Sequence, residues 1–340
     1  MSFIRQEFKT KLLARGFEMA ARHSKLFRKS EPTEFVNFYI VLTQKVSNFL
    51  LRKVFIYKYG EITMVTQITS AVQPRIAVID VFNDKTVDID GFKGNDISHG
   101  KIIVRFLREG LPNAEISKFS VPGFDNRTEK RRKEYAQALE NHLQYLVSQA
   151  KSGKKYDAVN ISLATLSTYR DEEGETPANV KSRCELIKSN LSKMDEHSRD
   201  IGRCIALIEV LSNLGTKVYI AAGNENTEKY NIFNVAKGAI NVGALNKDRT
   251  KEENSCDNSL VNRWVRGVFP VTKTDDGIDF TGDGTTDIDY FDLSGVSVWK
   301  DKLSHKEVKE RVSLNGLMNS MSGTSFAVPT AIVEDFKNLR

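Results

Sequence analysis

Between residues 76 and 244, short apolar runs alternate with helix-spaced segments, and this restricts the chain to few folds. The runs cover residues 76–80, 114–119, 157–163, 218–224 and 239–244. Most are apolar at both odd and even positions, the pattern of a strand covered on both faces. One predicted helix opens at His99, with Ile102, Ile103, Phe106 and Leu107 at helical spacing. A second spans 128–152, with Tyr135, Leu139, His142, Leu146 and Ala150 on one face, where His142 reads as a helix-face residue without chemistry. A third spans 195–214, carries Ile201, Ile205, Ile208 and Leu211 inward, and is closed by Gly215. Strands and helices in this succession predict an α/β fold around a mainly parallel sheet.

Residues able to do chemistry fall at the ends of these elements. Asp80 closes the first run, and a carboxylate at the carboxyl end of a parallel strand lies where open α/β sheets keep their sites. His99 begins a helix, and Asn224 ends the fourth run. Ser325 follows the small residues Ser322, Gly323 and Thr324 and precedes a buried helix beginning at Phe326. Pro329 is expected in the first turn of that helix, where no N–H is needed. Alone, Ser325 reads as the N-cap of an ordinary helix. With the other three it completes the parts of acyl transfer: a hydroxyl nucleophile, a base near neutral pH, a carboxylate to orient the base, and an amide for the oxyanion.

The remaining composition narrows the classes. At +6, with 44 acidic residues among 50 basic ones, the charge lacks the clustering of a nucleic-acid surface. Three cysteines (Cys184, Cys204 and Cys256) imply no disulfide framework and no zinc spacing. No signal peptide is expected, and Lys45, Arg52, Lys53 and Lys58 interrupt the apolar stretch at 38–59, so no transmembrane span is expected either. A cytoplasmic protein follows as the expectation. No glycine-rich phosphate loop follows the first run, which argues against a nucleotide-binding protein.

Residues 1–72 are expected to form a basic N-terminal extension, and 73–340 the main domain, with insertions near 164–194 and 270–318. In the extension the spacing predicts a helix over 3–28, a second starting at 30–33 and reaching Leu50, and strand over 54–68 with a turn at Tyr59 and Gly60. A packed appendage and a pro-segment are both open. The 164–194 insertion is polar, with a short helix over 181–191.

In order and in wording, Ile76-Ala77-Val78-Ile79-Asp80, Ser98-His99-Gly100, Ala221-Ala222-Gly223-Asn224 and Gly323-Thr324-Ser325-Phe326-Ala327-Val328-Pro329 resemble the subtilisin-like serine proteases. The resemblance covers about residues 74–336. It implies a three-layer fold with helices on both faces of the sheet. It also implies an endopeptidase with Asp80, His99 and Ser325 as catalytic triad and Asn224 as oxyanion donor. Asn160-Ile161-Ser162-Leu163 is similar to the strand that borders the family's primary specificity pocket. Protein or peptide substrates follow, with no nucleic acid and no membrane partner; the oligomeric state is not read. The chain departs from the family at Val81 and Phe82, where a small hydroxyl residue and glycine are usual, and at Lys101, Ala164 and Thr165. These departures and the 164–194 insertion suggest a selective protease, and they keep open a catalytically silent relative acting as a binding or regulatory module.

No cofactor is required for this chemistry. Residues 279–287 place oxygen side chains at alternate positions with Gly284 sixth, as in a calcium loop, but Tyr290 stands where the bidentate acid belongs. A solvated turn is the expected reading, with structural calcium as the alternative.

Overall fold

The computed structural model describes residues 38–46, 49–58, 61–70, 73–82, 88–90, 98–123, 128–168, 174–225, 229–290, 304–315 and 320–337. Residues 1–72 and 73–340 form two compact units. In the first, β1 (Phe38–Val46), β2 (Phe49–Lys58) and β3 (Glu61–Ser70) make an antiparallel three-stranded sheet. The expected helix reaching Leu50 is therefore corrected to strand over its described part. The segment is rich in Phe, Tyr, Ile and Val, which favour strands, and β2 pairs with it residue for residue from Phe38 opposite Tyr57. The helix expected over 3–28 and the turn at Tyr59 and Gly60 lie outside the described residues.

The second unit opens with β4 (Arg75–Asp80), β5 (Asp88–Asp90), β6 (Glu115–Ser120), β7 (Ala158–Ile161), β8 (Leu166–Thr168), β9 (Lys217–Ala221), β10 (Lys229–Asn231), β11 (Ile240–Leu245) and β12 (Arg263–Arg266). Shorter strands follow: β13 (Val268–Pro270), β14 (Thr272–Lys273), β15 (Gly277–Asp279), β16 (Ile288–Asp289), β17 (Ser313–Asn315) and β18 (Ser320–Ser322). The described helices are α1 (His99–Gly110), α2 (Glu129–Lys151), α3 (Pro177–Leu191), α4 (Glu196–Asn213), α5 (His305–Arg311) and α6 (Thr324–Lys337).

Six strands form a parallel sheet in the order β12-β11-β9-β7-β4-β6. Side chains alternate across it, as the pleat requires. Ile76 and Val78 of β4 join one core with α1 and α6, whereas Ala77 and Ile79 join another with α2 and α4. Both faces are thus covered, which is why these strands tolerate apolar residues at both parities. β12 was not expected: Arg263 and Arg266 flank Trp264 and Val265, and an edge strand has only one neighbour to satisfy.

Strand order reverses at β4. The chain leaves β4 for β6 on one side, then returns past it to β7 on the other. The carboxyl ends of β4 and β7 therefore flank the crevice where open parallel sheets collect their functional groups. Among the described residues, no helix is long and apolar enough to cross a membrane.

Candidate active site

Asp80 ends β4 with its side chain fully buried. His99 is the first residue of α1, and its Nδ1 lies 2.7 Å from Asp80 Oδ1. The same oxygen accepts the Val81 N–H at 2.6 Å, and the Gly100 N–H donates to the Val81 carbonyl at 2.9 Å. The start of α1 is thereby tied to the exit of β4. With Nδ1 donating to a carboxylate, the proton-accepting nitrogen of the neutral ring is Nε2. A Cβ on Gly100 would stand 2.7 Å from the Phe82 ring, so Phe82 closes this corner only over a glycine. Among the described residues the buried Asp80 Oδ2 has no hydrogen-bond partner, and Val81 and Phe82, which follow it, carry no hydroxyl.

Ser325 is the second residue of α6. Phe326 beside it lies 5.6 Å from the His99 ring and 6.0 Å from Phe106 of α1, measured between centroids. α1 and α6 therefore share one face of the sheet, with His99 and Ser325 each in the first turn. His99 and Ser325 share no hydrogen bond in this arrangement. The Ser325 hydroxyl donates instead to the Ser162 carbonyl at 3.3 Å.

Asn224 follows β9 and reaches α6 through its carbonyl. Asn224 Oδ1 accepts the Thr324 N–H at 2.8 Å and the Thr324 hydroxyl at 2.9 Å. Because both groups donate, the atom facing them is the oxygen, and the amide's NH2 is turned the other way. Thr324 Oγ1 also accepts the Gly223 N–H at 3.1 Å. Gly323 has φ of 138°, open to glycine, and a Cβ there would press within 2.9 Å of Asn224 Nδ2. The role of Thr324 was missed at the level of sequence; its position beside Ser325 was the only signal.

Pro329 does not sit in the first turn. It is the sixth residue of α6, where its N–H would have bonded to the Ser325 carbonyl. The Ser162 hydroxyl donates to that carbonyl at 2.9 Å in its place. Ser162 Oγ in turn accepts from Asn160 Nδ2 at 2.9 Å.

The loop from Asp279 to Asp287 is solvated at its tip, where Asp283, Gly284 and Thr285 are exposed, and anchored at its ends, where Asp279, Thr281 and Asp287 are buried. Asp279 accepts the N–H groups of Gly282 at 2.6 Å and Gly284 at 2.9 Å. Asp287 accepts those of Phe280 at 2.7 Å and Thr281 at 2.8 Å. Turn donors within the loop satisfy the carboxylates, which is what permits their burial. Among the described residues, no group of three or more His, Cys, Asp or Glu is arranged to hold a metal ion.

Asp287 also faces Glu109 of α1, a contact with no warning in the sequence. Burial first, and then the hydrogen bond and charge of Asp287, push the Glu109 carboxyl up to about 8, against the opposing effects of Thr281 and Arg105. Folding therefore takes up a proton on Glu109 between its ordinary value and about 8, so this contribution to stability is present in acid and lost as pH rises through that window. A Glu109→Gln variant, neutral throughout, is expected to gain on the wild type by a few degrees in unfolding temperature between pH 5 and pH 8. A constant difference across that range would remove the assignment.

Residues 93–331 match the family model described as Subtilase family, peptidase S8. The matched span contains His99, Asn224 and Ser325 and begins beyond Asp80. No curated protein matches the chain. Among solved structures, a lanthipeptide protease is similar at 14% identity and a TM-score of 0.41, covering 77% of this chain and 72% of that one. A cold-adapted subtilisin-like serine proteinase is similar at 12% identity and a TM-score of 0.40, covering 78% and 74%.

Proposed function

The chain belongs to the subtilase family, and on that premise we propose that it is a serine endopeptidase with Ser325 as nucleophile, His99 as general base, Asp80 as its orienting carboxylate and Asn224 as oxyanion donor. The observation that carries the reading is the Asp80–His99 hydrogen bond at the mouth of the crevice, beside the helix that begins Thr324-Ser325.

In the proposed reaction the Ser325 hydroxyl turns from the Ser162 carbonyl to His99 Nε2, a rotation between staggered positions of one side chain. As Oγ bonds to the peptide carbon, the proton passes to Nε2 and the carbonyl electrons move onto oxygen. Buried Asp80 stabilises the resulting imidazolium, and the Asn224 NH2 donates to the oxyanion. Collapse breaks the C–N bond, and His99 returns the proton to the leaving amine. Water then repeats the sequence on the acyl-enzyme and frees Ser325.

Protein or peptide substrates follow from this chemistry. The α3 insertion and the altered residues around Asp80 and His99 support selectivity for particular proteins. Residues 1–72 are either a packed appendage or a pro-segment removed by the enzyme itself, and we assign the protein to the cytoplasm. The test is a fluorophosphonate probe with intact mass measurement. Label on Ser325, absent in Ser325→Ala, is the expected result; loss of residues 1–72 in the wild type alone would make them a pro-segment. An unlabelled wild type, before and after removal of residues 1–72, would leave only the binding-module alternative.

Asn224→Ala is expected to lower turnover about 10²–10³-fold with little change in substrate binding, a magnitude measured in subtilisin itself. Because Asn224 also holds Thr324, Asn224→Asp is the cleaner variant: it keeps the acceptor and removes the donor. Undiminished turnover in Asn224→Asp would show that the oxyanion is held elsewhere.

A further inference from the structure

The Ser325 carbonyl is in an unusual position for a helical residue. Its regular donor would be the N–H four residues on, and residue 329 is proline. A carbonyl left without a donor this close to the protein interior costs stability and lets the turn relax. Ser162, 5% exposed at the end of β7, supplies the donor from across the sheet at 2.9 Å. The polarity of this bond is set one step further back. Asn160 is fully buried, and its Nδ2 donates to Ser162 Oγ. That hydroxyl, already accepting, directs its single proton to Ser325. The pairing is reciprocal, since the Ser325 hydroxyl rests on the Ser162 carbonyl. Ser162 thus grips the nucleophile's main chain by one bond and holds its side chain by another.

We infer that Ser162 is a positioning residue for the reaction, its hydroxyl replacing the amide that Pro329 lacks and so fixing where the Ser325 Cα–Cβ bond points. Two separate constraints meet here. The backbone bond must persist through turnover, while the side-chain bond must be released for the hydroxyl to reach His99. The 3.3 Å length of the second bond, against 2.9 Å for the first, is in keeping with that division. Asn160 acts one position behind, through Ser162 alone.

This inference rests on the peptidase reading, and its test separates the two. The maximal rate and half-saturating concentration of fluorophosphonate labelling are measured for the full chain as wild type, Ser162→Ala, Pro329→Ala and the double variant. Thermal unfolding of each confirms that it is folded. Misplacing a reacting group by up to 1 Å costs up to about 100-fold, so Ser162→Ala is expected to lower the maximal labelling rate by about 10- to 100-fold at an unchanged half-saturating concentration. Pro329→Ala restores the amide to residue 329, making Ser162 dispensable. The double variant should therefore label within about threefold of Pro329→Ala, a recovery that general loosening of the fold would not produce. Labelling of Ser162→Ala at the wild-type rate, or a loss that Pro329→Ala fails to rescue, overturns the positioning role. A wild type that takes no label sinks the peptidase reading and this role with it, and is distinguished by its blank control.

Discussion

Replacing Ser325 by alanine is expected to abolish peptide hydrolysis, with a fall in turnover on the order of 10⁶-fold, the loss found when the nucleophile of subtilisin itself is removed. The size follows from the role. Ser325 lies in the first turn of a helix whose Phe326 stands 5.6 Å from the His99 ring and whose opening residue is tied to Asn224. The substitution should leave the fold intact. Alanine keeps the carbonyl that Ser162 bonds, and it forfeits only the long 3.3 Å contact to the Ser162 carbonyl. An exchange of that kind changes stability by about 1 kcal/mol or less. The result to look for is therefore an inactive protein with a nearly unchanged unfolding temperature, retaining residues 1–72. Hydrolysis of a fluorogenic peptide by Ser325→Ala at anything near the wild-type rate would mean that the nucleophile lies elsewhere.

Asp80→Ala is expected to cost about 10⁴-fold in turnover, again near the value for the corresponding loss in subtilisin. Asp80 has no exposed surface, and its Oδ1 receives both the His99 ring and the Val81 N–H. Removing the carboxylate frees the imidazole to turn and leaves its positive form without its counter-charge. Asp80→Asn should be milder here. The Val81 N–H demands an acceptor at the Oδ1 position, so the asparagine oxygen is held there and the amide's NH2 falls where Oδ2 has no partner among the described residues. That orientation preserves the proton on Nδ1 and removes only the charge. Steady-state rates for the two variants decide this: asparagine and alanine variants of equal activity would show that the Val81 contact does not choose the orientation.

The layered fold was legible because its signals are local. A buried strand such as Ile76–Ala77–Val78–Ile79 announces itself by being apolar at both parities, and it is so because α1 and α6 cover one face while α2 and α4 cover the other. His99 at a helix start, Asn224 after a strand and Ser325 before an apolar helix were legible for the same reason. Other features were not. Residues 38–46 carry apolar side chains at helical spacing, yet they lie in a sheet, because all nine residues pair in register with β2 and propensity is a weak prior beside that. β12 hid behind Arg263 and Arg266, which an edge position tolerates. The turn at Asp279–Asp287 read as solvated and its tip is exposed; the burial of Asp279 and Asp287 was not legible, because the N–H groups that satisfy their carboxylates come from the turn's own fold.

What the sequence by itself determined was the succession of strands and helices, and with it the set of side chains delivered to one edge of a parallel sheet. Periodicity and end signals are written within a few neighbouring residues, so no knowledge of distant partners is needed to read them. Only the tertiary structure decided how those side chains are held. Ser162 and Ser325 are 163 residues apart along the chain, and Asn224 and Thr324 are 100 apart. The clue to the first pair was present in Pro329, as a missing donor. Which group would supply it depends on where β7 ends relative to α6, and that is settled by packing across the whole sheet, not by any local stretch.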